Sequence, residues 1–126
     1  MSEINSFKDL LVWQKGIELV KEVYKVIEKM PQEELFGLSG QIKRSVLSVP
    51  SNIAEGWGRN STLSYLHFLK ISRGSLFELE TQLIIAKELE FISSDALNKI
   101  DKLIHELSKM LNSLIKSIKN KSKTIG

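Results

Sequence analysis

Apolar residues recur three and four positions apart along nearly the whole chain, and no stretch alternates with the period of two that marks a strand. The pattern divides into four segments. The first, over about residues 7–29, carries a seam of Leu10, Trp13, Ile17, Val20, Tyr24 and Ile27, flanked by Val12, Leu19, Val23, Val26 and Met30. Ser6 followed by Asp9 is a capping-box start, and Pro31 closes the segment. The second, about 33–55, places Leu35, Leu38, Ile42, Val46, Val49 and Ile53 on one stripe. The third, about 62–89 with Ser61 or Asn60 as cap, has Tyr65, Leu69, Ser72, Leu76, Leu79, Leu83 and Ala86 in register. The fourth begins at Ser93-Ser94-Asp95 and keeps Leu97, Ile100, Ile104, Leu107, Leu111, Leu114 and Ile118 in heptad register to about 118.

These segments predict an all-α, antiparallel up-down four-helix bundle over residues 7–119, with a lead at 1–6 and a flexible lysine-rich tail at 120–126. Two helices carry wider apolar arcs than a lone bundle needs. Val12, Leu19 and Val26 on the first, and Phe68 and Phe77 on the third, look surplus, and closed cyclic assembly is the usual way to cover such faces.

The segment Ser48-Val-Pro-Ser-Asn-Ile-Ala-Glu-Gly-Trp-Gly-Arg-Asn-Ser61 breaks the plain helical pattern. Pro50 removes a backbone donor and crowds the carbonyl four residues back, while the apolar register resumes at Ile53. That predicts a kinked second helix; two short helices, the second opening on Pro50, are the alternative. Gly56 and Gly58 are the expected helix end, because both can adopt positive φ. Gly74, inside the third helix, implies a close packing contact.

Composition narrows the chemistry. With 126 residues the chain is one domain, and without cysteine there is no thiol catalysis, disulfide or thiolate metal site. No signal-type start and no apolar run of membrane-spanning length is visible, so a cytoplasmic protein is expected. The net charge of +3 is local rather than general. Residues 41–73 hold Lys43, Arg44, Arg59, Lys70 and Arg73 against Glu55 alone, and the last eleven hold Lys116, Lys119, Lys121 and Lys123 with no acid. The remaining stretches are acidic.

Three motifs in this order carry a resemblance: Asp9-Leu-Leu-Val-Trp-Gln14, then Ser48-Val-Pro-Ser-Asn-Ile-Ala-Glu-Gly56 with Gly58-Arg59, then Ser72-Arg-Gly-Ser-Leu-Phe-Glu-Leu-Glu-Thr-Gln82. Together they resemble the proteins encoded in intervening sequences of bacterial 23S ribosomal RNA genes, over about Phe7 to Ile92. The resemblance implies a four-helix bundle that assembles as a homopentamer, with no enzymatic activity. It also implies kinship with the accessory proteins of diversity-generating retroelements, in which a basic pentameric barrel engages nucleic acid and a reverse transcriptase.

Candidate chemistry follows from these patches. No catalytic residue, cofactor or metal site is predicted: the two histidines, His67 and His105, form no Glu-x-x-His pattern, and Asp101 with His105 would supply only two ligands. Arg44, Glu55, Arg73 and Glu80 are expected to form a structural ion-pair network, because charges near a bundle core must pair. Lys43, Arg59 and Lys70, the tail lysines Lys116, Lys119, Lys121 and Lys123, and Trp57 as a stacking platform are the candidate RNA contacts. For Trp57 the competing role is a plug at the bundle end. The expectation is a non-enzymatic homo-oligomer, pentameric if it follows the resemblance, that associates with RNA and not with a membrane; the alternative is a scaffold that recruits a partner protein without touching nucleic acid.

Overall fold

The computed structural model describes residues 3–125, with side chains described to residue 121. Four long helices make up the structure: α1 (Leu11–Ile27), α2 (Leu38–Trp57), α3 (Thr62–Glu88) and α4 (Ser94–Ile125), with short 3-10 turns at Phe7–Asp9 and Gln32–Glu34. No strand occurs among the described residues. Each helix runs antiparallel to its sequence neighbour, and α4 closes against α1. Lys15 of α1 reaches Glu106 of α4 at 3.1 Å and Lys99 of α4 reaches Glu22 at 3.4 Å, pairs that ascend one helix while descending the other. This is the up-down topology.

Local signals set most of the ends. The Ser6–Asp9 capping box forms, with Ser6 Oγ accepting from the Lys8 amide at 2.9 Å and Asp9 Oδ2 from the Ser6 amide at 3.1 Å. It caps only the first 3-10 turn, because Leu10 is extended and α1 starts afresh at Leu11. Ser61 caps α3 through the Ser64 amide at 3.2 Å, and Ser93 caps α4 through the Ala96 amide at 3.1 Å. At the end of α3, Glu90 takes φ 65°, with the Phe91 amide donating to Ala86 and the Glu90 amide to Lys87, a Schellman closure without its usual glycine.

Several expectations need correction. Helix α2 starts at Leu38 rather than 33, so Leu35 lies outside it and is exposed. It passes unbroken through Pro50, which removes the two-helix alternative. It ends at Trp57 without any positive-φ glycine. Gly56 is needed instead for closeness: a Cβ there would lie 2.8 Å from Phe68 Cβ, so the end of α2 and the start of α3 could not meet as they do. Gly16 eases the α1–α2 crossing less strictly: a Cβ there would lie 3.3 Å from Pro50 Cβ, a tight contact. A Cβ on Gly74 would meet nothing within 4 Å, so no close packing within the subunit calls for a glycine there. Helix α4 continues to Ile125, and the segment expected to be a flexible tail is helical.

The core runs the length of the bundle. On α3 the predicted seam is the buried one, from Leu69 and Ser72 to Ala86, with Leu66 replacing the half-buried Tyr65. On α1 the flanking set is the core: Val12, Leu19 and Val23 are buried, while Trp13, Ile17, Val20 and Tyr24 sit half-buried beside them. Val12 and Leu19 are therefore not surplus, and Phe68 is half-buried too. On α4, Ile100, Ile104, Leu107 and Leu111 are followed inward by Ile115 rather than Leu114. A helix of 3.6 residues per turn drifts about 20° per heptad, which moves the buried stripe forward by one position. Small polar residues bring α2 and α3 together: the Ser72 hydroxyl donates to the Val49 carbonyl at 2.9 Å, and Ser48 and Ser75 share a hydrogen bond of 2.8 Å.

Candidate nucleic-acid interface

The α3–α4 hairpin brings together basic residues that lie far apart in sequence. Arg73 Nη1 donates to Asn112 Oδ1 at 3.0 Å, and His105 Nε2 lies 3.0 Å from Glu80 Oε2. The two contacts are seven residues apart on each helix, so they share one antiparallel register. Extended toward the start of α3, that register sets Lys116 and Lys119 of α4 beside the turns holding Lys70 and Leu66.

Charge on the hairpin is polarised. Residues 62–77 of α3 and 107–125 of α4 contain no Asp or Glu, yet carry Lys70, Arg73, Lys109, Lys116, Lys119, Lys121 and Lys123. The opposite half holds Glu78, Glu80 and Glu88 on α3 and Asp95, Asp101 and Glu106 on α4. Two helices of ordinary net charge thus pair into a cationic end and an anionic end. Lys70, Lys116, Lys119 and Lys121 are exposed, and the side chain of Lys123 lies outside the described residues.

Of the remaining candidate contacts, Lys43 does not join this surface. Lys43 is half-buried on α2 with Nζ 5.6 Å from the Tyr24 ring centroid, near the other end of the bundle. The fourteen residues of α2 from Lys43 to Trp57, about 21 Å, separate it from the corner that holds Arg59. Arg59 is exposed at the α2–α3 corner, where it bonds Glu55 at 2.6 Å and lies 5.0 Å from the Phe68 ring centroid. Trp57 packs edge-on against Tyr65, ring centroids 6.4 Å apart, as part of the partly buried fringe of the core.

The predicted ion-pair network does not form as one unit. Glu55 pairs with Arg59, Glu80 with His105, and Arg73 with Asn112; Arg44 is exposed and makes no ion pair among the described residues. Arg73 and Glu80 share a face of α3 as expected, but each finds its partner across on α4, where a side chain directly opposite is nearer than one two turns along. Interhelical ion pairing centres instead on Lys15, whose amino group is raised above its ordinary value first by Glu106 and then by Glu18. Asp101, between Glu80 and His105, is held above the usual carboxylate range by burial first and by the Glu80 carboxylate second, with His105 partly opposing.

A further surface lies on the outside of α3. Leu63, Ile71, Phe77, Ile84 and Ile85 are exposed along it, Leu63 at 78% and Phe77 at 53%, with the bare backbone of Gly74 between them. No helix of the subunit covers this side.

The fold and its surfaces define a small all-helical bundle protein with one cationic end and one apolar flank. The sequence profile described as 23S rRNA-intervening sequence protein matches residues 8–113, and the chain belongs to that family. Among solved structures it is similar to a protein of unknown function from the S23 ribosomal protein family of Bacteroides thetaiotaomicron, determined at 1.70 Å resolution. The two are 26% identical with a TM-score of 0.78, over 84% of this chain and 99% of the other. No curated protein matches. Among the described residues no helix is long and apolar enough to cross a membrane.

Proposed function

We propose that this protein is a non-enzymatic homo-oligomer that associates with RNA through the cationic end of its α3–α4 hairpin. The carrying observation is the pairing of two acid-free helix halves, which concentrates Lys70, Arg73, Lys109, Lys116, Lys119 and Lys121 on one end of an otherwise mixed surface. Such a surface gains affinity for phosphate backbones by releasing their condensed counterions. Lysines in the last turns of a helix also complement its dipole, which accounts for one or two of them but not for the acid-free half of α3. The family's connection to ribosomal RNA genes supports RNA as the partner, and a cytoplasmic location goes with it.

Self-association is supported by the apolar flank of α3. A row of exposed Leu, Ile and Phe is costly to leave in water, and a closed ring of identical subunits covers it. The resemblance to pentameric relatives suggests five copies. In this reading Pro50 bends α2 where it crosses Gly16, shaping the subunit for that ring. The apolar flank alone also suits a scaffold that recruits a partner protein, so the test must isolate the RNA contact.

Titration of a structured ribosomal RNA fragment across a salt series does so. Binding should weaken steeply with salt, and Lys116→Ala with Lys119→Ala should lower affinity and reduce the slope by about one to two phosphate contacts. Lys21→Ala with Lys25→Ala on α1 should change little. Absence of binding at low salt would leave only the scaffold.

A further inference from the structure

Glu80, Asp101 and His105 meet on the acidic half of the α3–α4 hairpin, each offering a ligand atom within 4.8 Å of the others. Asp101 and His105 are four residues apart and so lie on one face of α4, and Glu80 is set opposite them by the register that also joins Arg73 to Asn112. The sequence supplies only the pair on α4. The third member comes from the fold.

The arrangement is electrostatically incomplete. Oδ1 of Asp101 is shut off from solvent and has no hydrogen-bond partner among the described residues. In a chain with 18 lysines and arginines, no lysine or arginine among the described residues pairs with Glu80 or Asp101. The nearest basic group is the imidazole of His105, whose Nε2 contacts Glu80 rather than the orphaned oxygen. On the α1–α4 side, by contrast, Glu106 is matched by Lys15 and Glu22 by Lys25 and Lys99. Two facing carboxylates and one imidazole, without a fixed counter-charge, form a donor set that a dication satisfies.

The geometry points to a divalent transition-metal site, of the zinc class, formed by Glu80, Asp101 and His105. Zinc–oxygen and zinc–nitrogen bonds of about 2.0–2.2 Å place tetrahedral donors about 3.4 Å apart, and the observed 3.0 Å between His105 Nε2 and Glu80 Oε2 lies close to that. An imidazole with two carboxylates suits a first-row dication better than magnesium or calcium, which take six or more oxygens. Three protein ligands leave a fourth position for water. The site lies apart from the cationic end and does not depend on RNA binding.

The test uses the full chain stripped of metal with a chelator and titrated with Co²⁺, read by its visible d–d absorption, then competed with Zn²⁺. The expected result is one ion per chain, displaced by zinc, with a raised melting temperature. His105→Ala and Asp101→Asn should each weaken binding about tenfold or more, while His67→Ala leaves it unchanged. Asp101→Asn keeps the side chain's shape and removes one of two facing charges, so its metal-free melting temperature should match or exceed that of the wild type. Failure of the wild type to take up Co²⁺ or Zn²⁺, or uptake that persists in both His105→Ala and folded Asp101→Asn, would overturn the site.

Discussion

Gly56 shows how one missing methyl group holds two helices together. Its Cα lies so close to α3 that a Cβ would come within 2.8 Å of Phe68 Cβ and 3.1 Å of Tyr65 Cδ1. Phe68 Cβ is anchored to the backbone and cannot swing away, so α2 and α3 would have to separate. Gly56→Ala should therefore destabilise the fold by about 1–3 kcal/mol in chemical denaturation, the usual cost of overpacking. Gly74→Ala, with open space around it, should leave the subunit unharmed or stabilise it by up to about 1 kcal/mol. The sequence marks both glycines as unusual but does not say which one is crowded. Gly56 invites a turn reading because glycine so often ends helices, and only the position of Phe68 reveals its steric role.

At the scale of elements, α3 differs from its neighbours. α1 and α2 each expose a single large apolar residue, Leu11 and Leu47, whereas α3 presents Leu63, Ile71, Phe77, Ile84 and Ile85 to solvent as well as Leu69, Leu76 and Leu83 to the core. If that outer row is an assembly surface, Phe77→Glu combined with Ile84→Glu should leave helicity and folding cooperativity unchanged while reducing the solution mass. An unchanged mass would move assembly to another face. The surplus was legible for Phe77, which lies off the main seam, but not for α1. There the choice between Trp13, Ile17, Val20 and Val12, Leu19, Val23 depends on which side the neighbours occupy, and the apolar pattern of α1 alone is symmetric on that point. The short helix spacing of the pattern, the caps at Ser61 and Ser93, and the α3 seam were all readable because each depends on local chemistry.

The whole molecule is defined by what antiparallel pairing does to charge. Along the sequence, the basic stretch that ends at Arg73 and the lysines after Leu114 look like two separate patches. Folding sets them side by side and, at the other end of the same hairpin, gathers the acids that include Glu80 and Asp101. Lys43 falls outside this arrangement, since linear charge density ignores the roughly 21 Å that helix α2 puts between it and the α2–α3 corner. The most direct measurement of the resulting account is the solution mass of the purified chain by light scattering, alone and with structured ribosomal RNA. The account predicts a mass several times the 14.3 kDa of one chain, rising further with RNA at low salt and returning to the protein-only value at high salt. A 14.3 kDa species whose mass is unchanged by RNA at any salt concentration would contradict it.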